Sequence, residues 1–172
     1  MKPKIKVTRI IGVDPGTGIV GFGVIDFNGG NGYKLVDAGV IRTPVNQALE
    51  LRLVTIYEEL CNIIKLNQPN VMSIEKLFFA QNVTTAISVS HARGVMMLAG
   101  KQNGLEIAEY TPLQIKQALT GYGRADKKQI QEMVQQVLKL KSPIERDDCA
   151  DGIAAAICHA MTNPNIKVSS TL

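Results

Sequence analysis

The chain has 172 residues, 45% of them hydrophobic, and a formal net charge of +4. That length and apolar content suffice for one domain with its own core, without help from disulfides or structural zinc. Three cysteines, Cys61, Cys149 and Cys158, with no C-x-x-C spacing, exclude a disulfide framework and a zinc site and fit a reducing cytoplasm.

The basic residues 1–6 lead into 7–13, which Thr8, Arg9 and Gly12 interrupt, so no signal-peptide core is expected. No apolar run approaches the roughly 20 residues that cross a bilayer, and a protein without membrane segments is expected. Residues 8–14 carry β-branched Ile10, Ile11 and Val13 and end before Pro15-Gly16-Thr17-Gly18, which predicts a first strand closing at Asp14. Strands over 19–27 and 33–41, joined by the turn cluster 28–32, complete an antiparallel meander. Leu49, Leu53, Ile56, Leu60, Ile63 and Ile64 recur at helical spacing and predict a helix over 46–66. A short strand over 69–75 then ends in Glu75, a second long helix covers 82–102, and a fifth strand covers 104–108.

Helices over 112–119 and 127–140 follow, separated by Gly121-Tyr122-Gly123. The last helix runs to about residue 161. It has two possible starts: the capping-box pattern Ser142-Pro143-Ile144-Glu145, or a point nearer Asp147. Residues 1–163 are expected to form a single domain and 164–172 a flexible tail. A meander first and parallel crossovers after it suit an α/β, ribonuclease H-like fold, with a mixed five-stranded sheet flanked by helices.

Two acids end strands, Asp14 on the first and Glu75 on the fourth, where sites form in open α/β sheets. Asp148 and Asp151, three residues apart on the last helix, share one face. Taken singly, each has an ordinary role, as a turn residue or as a favourable acid in the first turn of a helix. Together they supply hard oxygen ligands of the kind Mg²⁺ or Mn²⁺ prefers, and two such ions suit in-line phosphodiester displacement. If four acids converge in this way, nineteen cations face only eleven other acids, a balance that favours a polyanionic partner.

The stretches IIGVDPGTGIVGFGVI, SIEKLFFAQN, HARGVMMLAG, TPLQIKQALTGYGRADKKQIQEMV and DDCADGIAAAICHA together resemble the RuvC-type Holliday junction resolvases over nearly the whole chain. The resemblance implies a homodimeric endonuclease of recombination and DNA repair that nicks opposing strands of a four-way junction symmetrically, two related sites matching the junction's own near-two-fold symmetry. It assigns Asp14, Glu75, Asp148 and Asp151 to catalysis and to two Mg²⁺ ions, with Mn²⁺ as a substitute, and leaves open whether neighbouring Asp147 is a cap or an alternative ligand. It also implies a branch-migration helicase partner of the RuvA and RuvB type.

By the same resemblance, Phe78 is a wedge or stacking residue at the junction centre, while Phe79 reads as core. Lys116 and Lys127 match positions that contact phosphate or the scissile region, with Arg124 and Lys128 as neighbours; for Lys128 a solvated helix face is an equal reading. The general base stays open, between a hydroxide held by metal and a role for Lys127.

Gly16-Thr17-Gly18-Ile19-Val20-Gly21 spells a dinucleotide fingerprint, but a strand is expected after it where a helix is needed. An actin-like or sugar-kinase-like ATPase would need two domains, more than 172 residues provide. A ribonuclease H acting on RNA/DNA hybrids shares the acids, and surface contacts would have to separate it. A non-catalytic junction binder is disfavoured, since four acids without metal weaken DNA binding. His91, His159, Met96 and Met97 read as structural or surface residues, and Arg93 as a packing or dimer-interface residue of open role, with the 82–102 helix the expected part of the dimer contact.

Overall fold

The computed structural model describes residues 7–29, 32–77, 83–142, 144 and 147–163. Phe78, Phe79 and the tail over 164–172 lie outside the described residues, as do Pro143 and Glu145 of the capping-box pattern. Five strands, β1 (Thr8–Asp14), β2 (Ile19–Phe27), β3 (Tyr33–Arg42), β4 (Val71–Glu75) and β5 (Glu106–Tyr110), form one sheet in the order β3-β2-β1-β4-β5. Pairing is antiparallel from β1 to β3 and parallel from β1 through β4 to β5, the expected ribonuclease H-like arrangement.

Alternation along each strand sends side chains to two separate cores. Ile11, Val13, Met72 and Ile74 face α1 (Leu49–Asn67) and α2 (Val83–Gln102), where Ile56, Leu60, Ala92 and Met96 are buried. On the reverse face Ile10 and Ile25 meet α5 (Asp147–Thr162), which α3 (Pro112–Thr120) and α4 (Lys127–Leu138) cover with Ile115, Leu119, Ile130 and Val134.

Glycine lets α5 lie directly on the sheet. A Cβ on Gly12 would stand 2.0 Å from the Gly152 carbonyl oxygen, one on Gly21 1.7 Å from the Asp148 carbonyl oxygen, and one on Gly152 2.7 Å from Phe22 Cα. The helix crosses the strands obliquely. Asp148 meets β2 at Gly21, the Ser73 hydroxyl of β4 donates to the Ala155 carbonyl at 2.6 Å, and His159 reaches Tyr110 of β5.

Several boundaries differ from the sequence expectation. α1 starts at Leu49, not 46, because residues 44–47 close a turn with Gln47 N–H donating to the Pro44 carbonyl. β5 lies two residues later than expected: Gly104 adopts φ 80° to leave α2, and pairing begins where Glu106 meets Val71. α4 stops at Leu138, with Lys139 left-handed at φ 52°. Of the two starts for α5, the later is observed, at Asp147.

Candidate active site

Asp14 and Glu75 close two neighbouring parallel strands. Asp14 lies on the same side of β1 as Gly12, and Glu75 on the same side of β4 as Ser73; both of those positions touch α5. The sheet therefore aims both carboxylates towards the helix that carries Asp148 and Asp151. The close approach at Gly21 brings the first turn of α5 beside Asp14, since Gly21 is the register partner of Asp14.

Charge makes the convergence visible. The Asp14 carboxyl is pushed up from 3.8 to about 7, by burial first and then by the carboxylates of Glu75, Asp151 and Asp148, with Lys127 opposing. Glu75 is likewise raised to about 7, by burial and then by Asp151, with Lys116 opposing. Asp151 is raised by burial, against the pull of Lys127 and Lys116. Like charges that repel one another in a partly desolvated pocket favour protonation or a cation. Among the described residues no three His, Cys, Asp or Glu side chains form a closed ligand cage. The donor set, all carboxylate oxygen, fits a hard divalent ion.

Two of the basic residues reach this cluster. Lys116, half-buried on α3, acts on Glu75 and Asp151, and Lys127, the first residue of α4, stands with its Nζ 3.8 Å from Asp151 Oδ2. Asp126 caps α4 just before Lys127, accepting from the Gln129 N–H at 2.8 Å while Gln129 returns a bond to the Asp126 N–H, so the position of Lys127 is held by local structure. Lys128 instead forms an exposed pair with Glu132, one helical turn away at 4.0 Å, and Arg124 is exposed in the turn before α4. Asp147 accepts a bond from Gln131 Nε2 at 2.6 Å and so is engaged with α4.

His159 is buried and bonded to the Tyr110 hydroxyl at 2.8 Å, and burial lowers its pKa; it belongs to the core under α5. His91 is exposed on α2. After Gly16-Thr17-Gly18 the chain enters β2, as expected, and no helix follows this turn to receive a pyrophosphate. One residue tied to the site had no readable role in the sequence: Arg93 of α2, whose Nε donates to the Glu75 carbonyl at 2.8 Å. Among the described residues no helix is long and apolar enough to cross a membrane.

Residues 10–159 match the family model for the crossover junction endodeoxyribonuclease RuvC. A protein of that name from Caldicellulosiruptor saccharolyticus is 48% identical over 158 residues, covering 92% of this chain and 95% of that one. One from Desulforamulus reducens is 52% identical over 151 residues, covering 88% and 92%. Among solved structures, Thermus thermophilus RuvC in complex with a Holliday junction substrate superposes with a TM-score of 0.86 at 29% identity, covering 91% of this chain and 95% of that one. With the fold and these relatives in agreement over almost its full length, the chain belongs to the RuvC family of crossover junction endodeoxyribonucleases.

Proposed function

We propose that this chain resolves Holliday junctions, cutting opposing strands of four-way DNA symmetrically during recombination and repair. The observation that carries the reading is the carboxylate cluster at the ends of β1 and β4, where burial and then mutual repulsion push Asp14 and Glu75 up to about 7, flanked by two lysines suited to phosphate. Asp14, Glu75, Asp148 and Asp151 are the residues that would hold two Mg²⁺ ions, or Mn²⁺ in their place. When bound, such ions supply Lewis acidity and activate water for phosphodiester hydrolysis. Lys127 and Lys116 neutralise the phosphate backbone beside the acids, and the exposed Arg124 and Lys128 extend that basic edge along the DNA. Phe78, three residues beyond Glu75, supplies the apolar wedge that keeps the junction centre unstacked.

A four-way junction offers two equivalent strands, so the functional unit is a homodimer. Its contact surface is the outer face of α2, where Ile87 and Leu98 are each about half exposed and where association would bury them. A branch-migration helicase of the RuvA and RuvB type delivers the substrate, and the setting is the cytoplasm.

The test is nicking of a synthetic four-way junction, an RNA/DNA hybrid and linear duplex, with Mg²⁺, with Ca²⁺ and with chelator, by wild type and Asp14→Asn. Magnesium-dependent paired nicks in opposing junction strands, lost in Asp14→Asn while junction binding persists, are expected. Preferential cutting of the hybrid would make the chain a ribonuclease H, and tight junction binding without cutting in any metal would leave a binding module.

A further inference from the structure

At the C-terminal end of β4 the ladder to β1 stops at the Val13–Ile74 pair. Beyond it, β1 continues through Asp14 into Pro15, which has no N–H with which to extend the ladder. The Glu75 carbonyl is satisfied instead from a helix: Arg93 Nε donates to it at 2.8 Å. The same guanidinium donates through Nη2 to Glu109 Oε2 and through Nη1 to Met97 Sδ at 3.3 Å. Its side chain is only 16% exposed, so all three nitrogens are engaged in a largely enclosed setting.

The two ends of this arrangement lie on opposite faces of the sheet. Glu109 is the register partner of Ile74, which packs in the core under α1 and α2, whereas the Glu75 carboxylate faces α5. Arg93 therefore meets the main chain of Glu75 and not its carboxylate. We propose that Arg93 is a positioning residue, which fixes the Glu75 carboxylate from behind by tying the Glu75 main chain to Glu109 of β5. The proposal rests on the reading of Glu75 as a metal ligand. Planar, three-point attachment is what a guanidinium offers and an ammonium does not, and partners that orient a metal ligand contribute measurably to metal affinity.

The test compares Arg93→Met, Arg93→Lys, Glu109→Gln and Glu75→Gln with wild type. Three quantities are measured: Mn²⁺ affinity by paramagnetic resonance of the free ion, melting temperature in chelator, and the Mg²⁺ concentration giving half-maximal junction nicking. Arg93→Met is expected to weaken Mn²⁺ binding and to raise the Mg²⁺ requirement by about tenfold, with nicking at saturating Mg²⁺ near wild type. Arg93→Lys, able to hold the carbonyl but not to bridge to Glu109, should recover part of this. Glu109→Gln, which keeps an acceptor but removes the charge, should shift both metal readouts the same way by less, and it carries the test if Arg93→Met does not fold. A lower melting temperature with unchanged Mn²⁺ affinity in these variants would reduce Arg93 to a tie between helix and sheet. Glu75→Gln binding Mn²⁺ and nicking like wild type would overturn the ligand reading of Glu75 and the proposal with it.

Discussion

Asp14→Asn should make the metal-free protein more stable while abolishing cleavage. The folded structure raises the Asp14 carboxyl from 3.8 to about 7, chiefly by burial and the neighbouring carboxylates. A carboxyl whose folded pKa lies above its unfolded value contributes its full stability only below the unfolded pKa, and that contribution is lost as pH rises through the folded pKa. At about pH 8 the loss for a shift of this size is on the order of 4 kcal/mol. The neutral amide also suffers burial, so about half of that, roughly 2 kcal/mol, is the expected gain, equivalent to a melting temperature about 4–8 °C higher for a domain of this size. The assay is thermal unfolding by circular dichroism in chelator across the window from about pH 4 to pH 8. The advantage should vanish near the acid end, grow through the window and be complete only above about pH 7. Mg²⁺ should stabilise wild type more than the variant and so close the gap. A variant no more stable than wild type at the alkaline end, or stabilised equally at every pH, would refute the claim that clustered buried charge governs this site.

Three further outcomes follow from the same geometry. Gly152→Ala adds a Cβ 2.7 Å from Phe22 Cα and 2.9 Å from Gly21 C, so α5 must retreat by roughly 1 Å to restore contact distance; junction nicking should fall about a hundredfold, and wild-type turnover would show that the close approach is dispensable. Lys127→Ala should flatten the salt dependence of junction binding by about one counterion, whereas Lys128→Ala, which removes only an exposed pair with Glu132, should change it less; equal slopes for the two would remove Lys127 from the phosphate path. Ser73→Ala deletes the buried bond to the Ala155 carbonyl and should lower stability by about 1 kcal/mol in chemical denaturation, with an unchanged midpoint arguing that α5 does not depend on it.

The strands and their acids were legible because the information is local. Ile11 and Val13 face one side of the strand and Ile10 and Gly12 the other, the run is β-branched, and Pro15-Gly16 stops the strand at Asp14, so both the element and its terminal acid can be read from a dozen residues. The spacing of Asp148 and Asp151 is equally local, although which of two starts α5 would use was not: the observed start at Asp147 accompanies a bond from Gln131 of α4, a partner distant in sequence. Gly12, Gly21, Gly23 and Gly152 could be read only as strand or helix interruptions. Their function is to leave room for the backbone of another element, and that depends on how α5 crosses the sheet. Arg93 was conspicuous in HARGV yet unreadable, since its acceptor is a main-chain carbonyl, which carries no residue type for a pattern to register.

The site joins features that oppose one another energetically, and this explains the choice of lysine at its edge. Burial and mutual repulsion leave Asp14, Glu75 and Asp151 reluctant to ionise together. A tight, buried arginine pair would relieve that, but it would also occupy the carboxylate oxygens and neutralise the charge that attracts a divalent ion. Lys127 does so only in part: at 3.8 Å from Asp151, with its side chain 70% exposed, it is a weak, solvated partner, which on the proposed reading leaves it free to swing from carboxylate to phosphate. The rigid guanidinium of Arg93 is kept on the opposite face, where it can hold the Glu75 backbone without competing for its carboxylate. The division of the two cation types between the two faces of the sheet thus leaves a cluster that is fixed in position but incompletely neutralised, the condition under which added metal and phosphate charge can complete it.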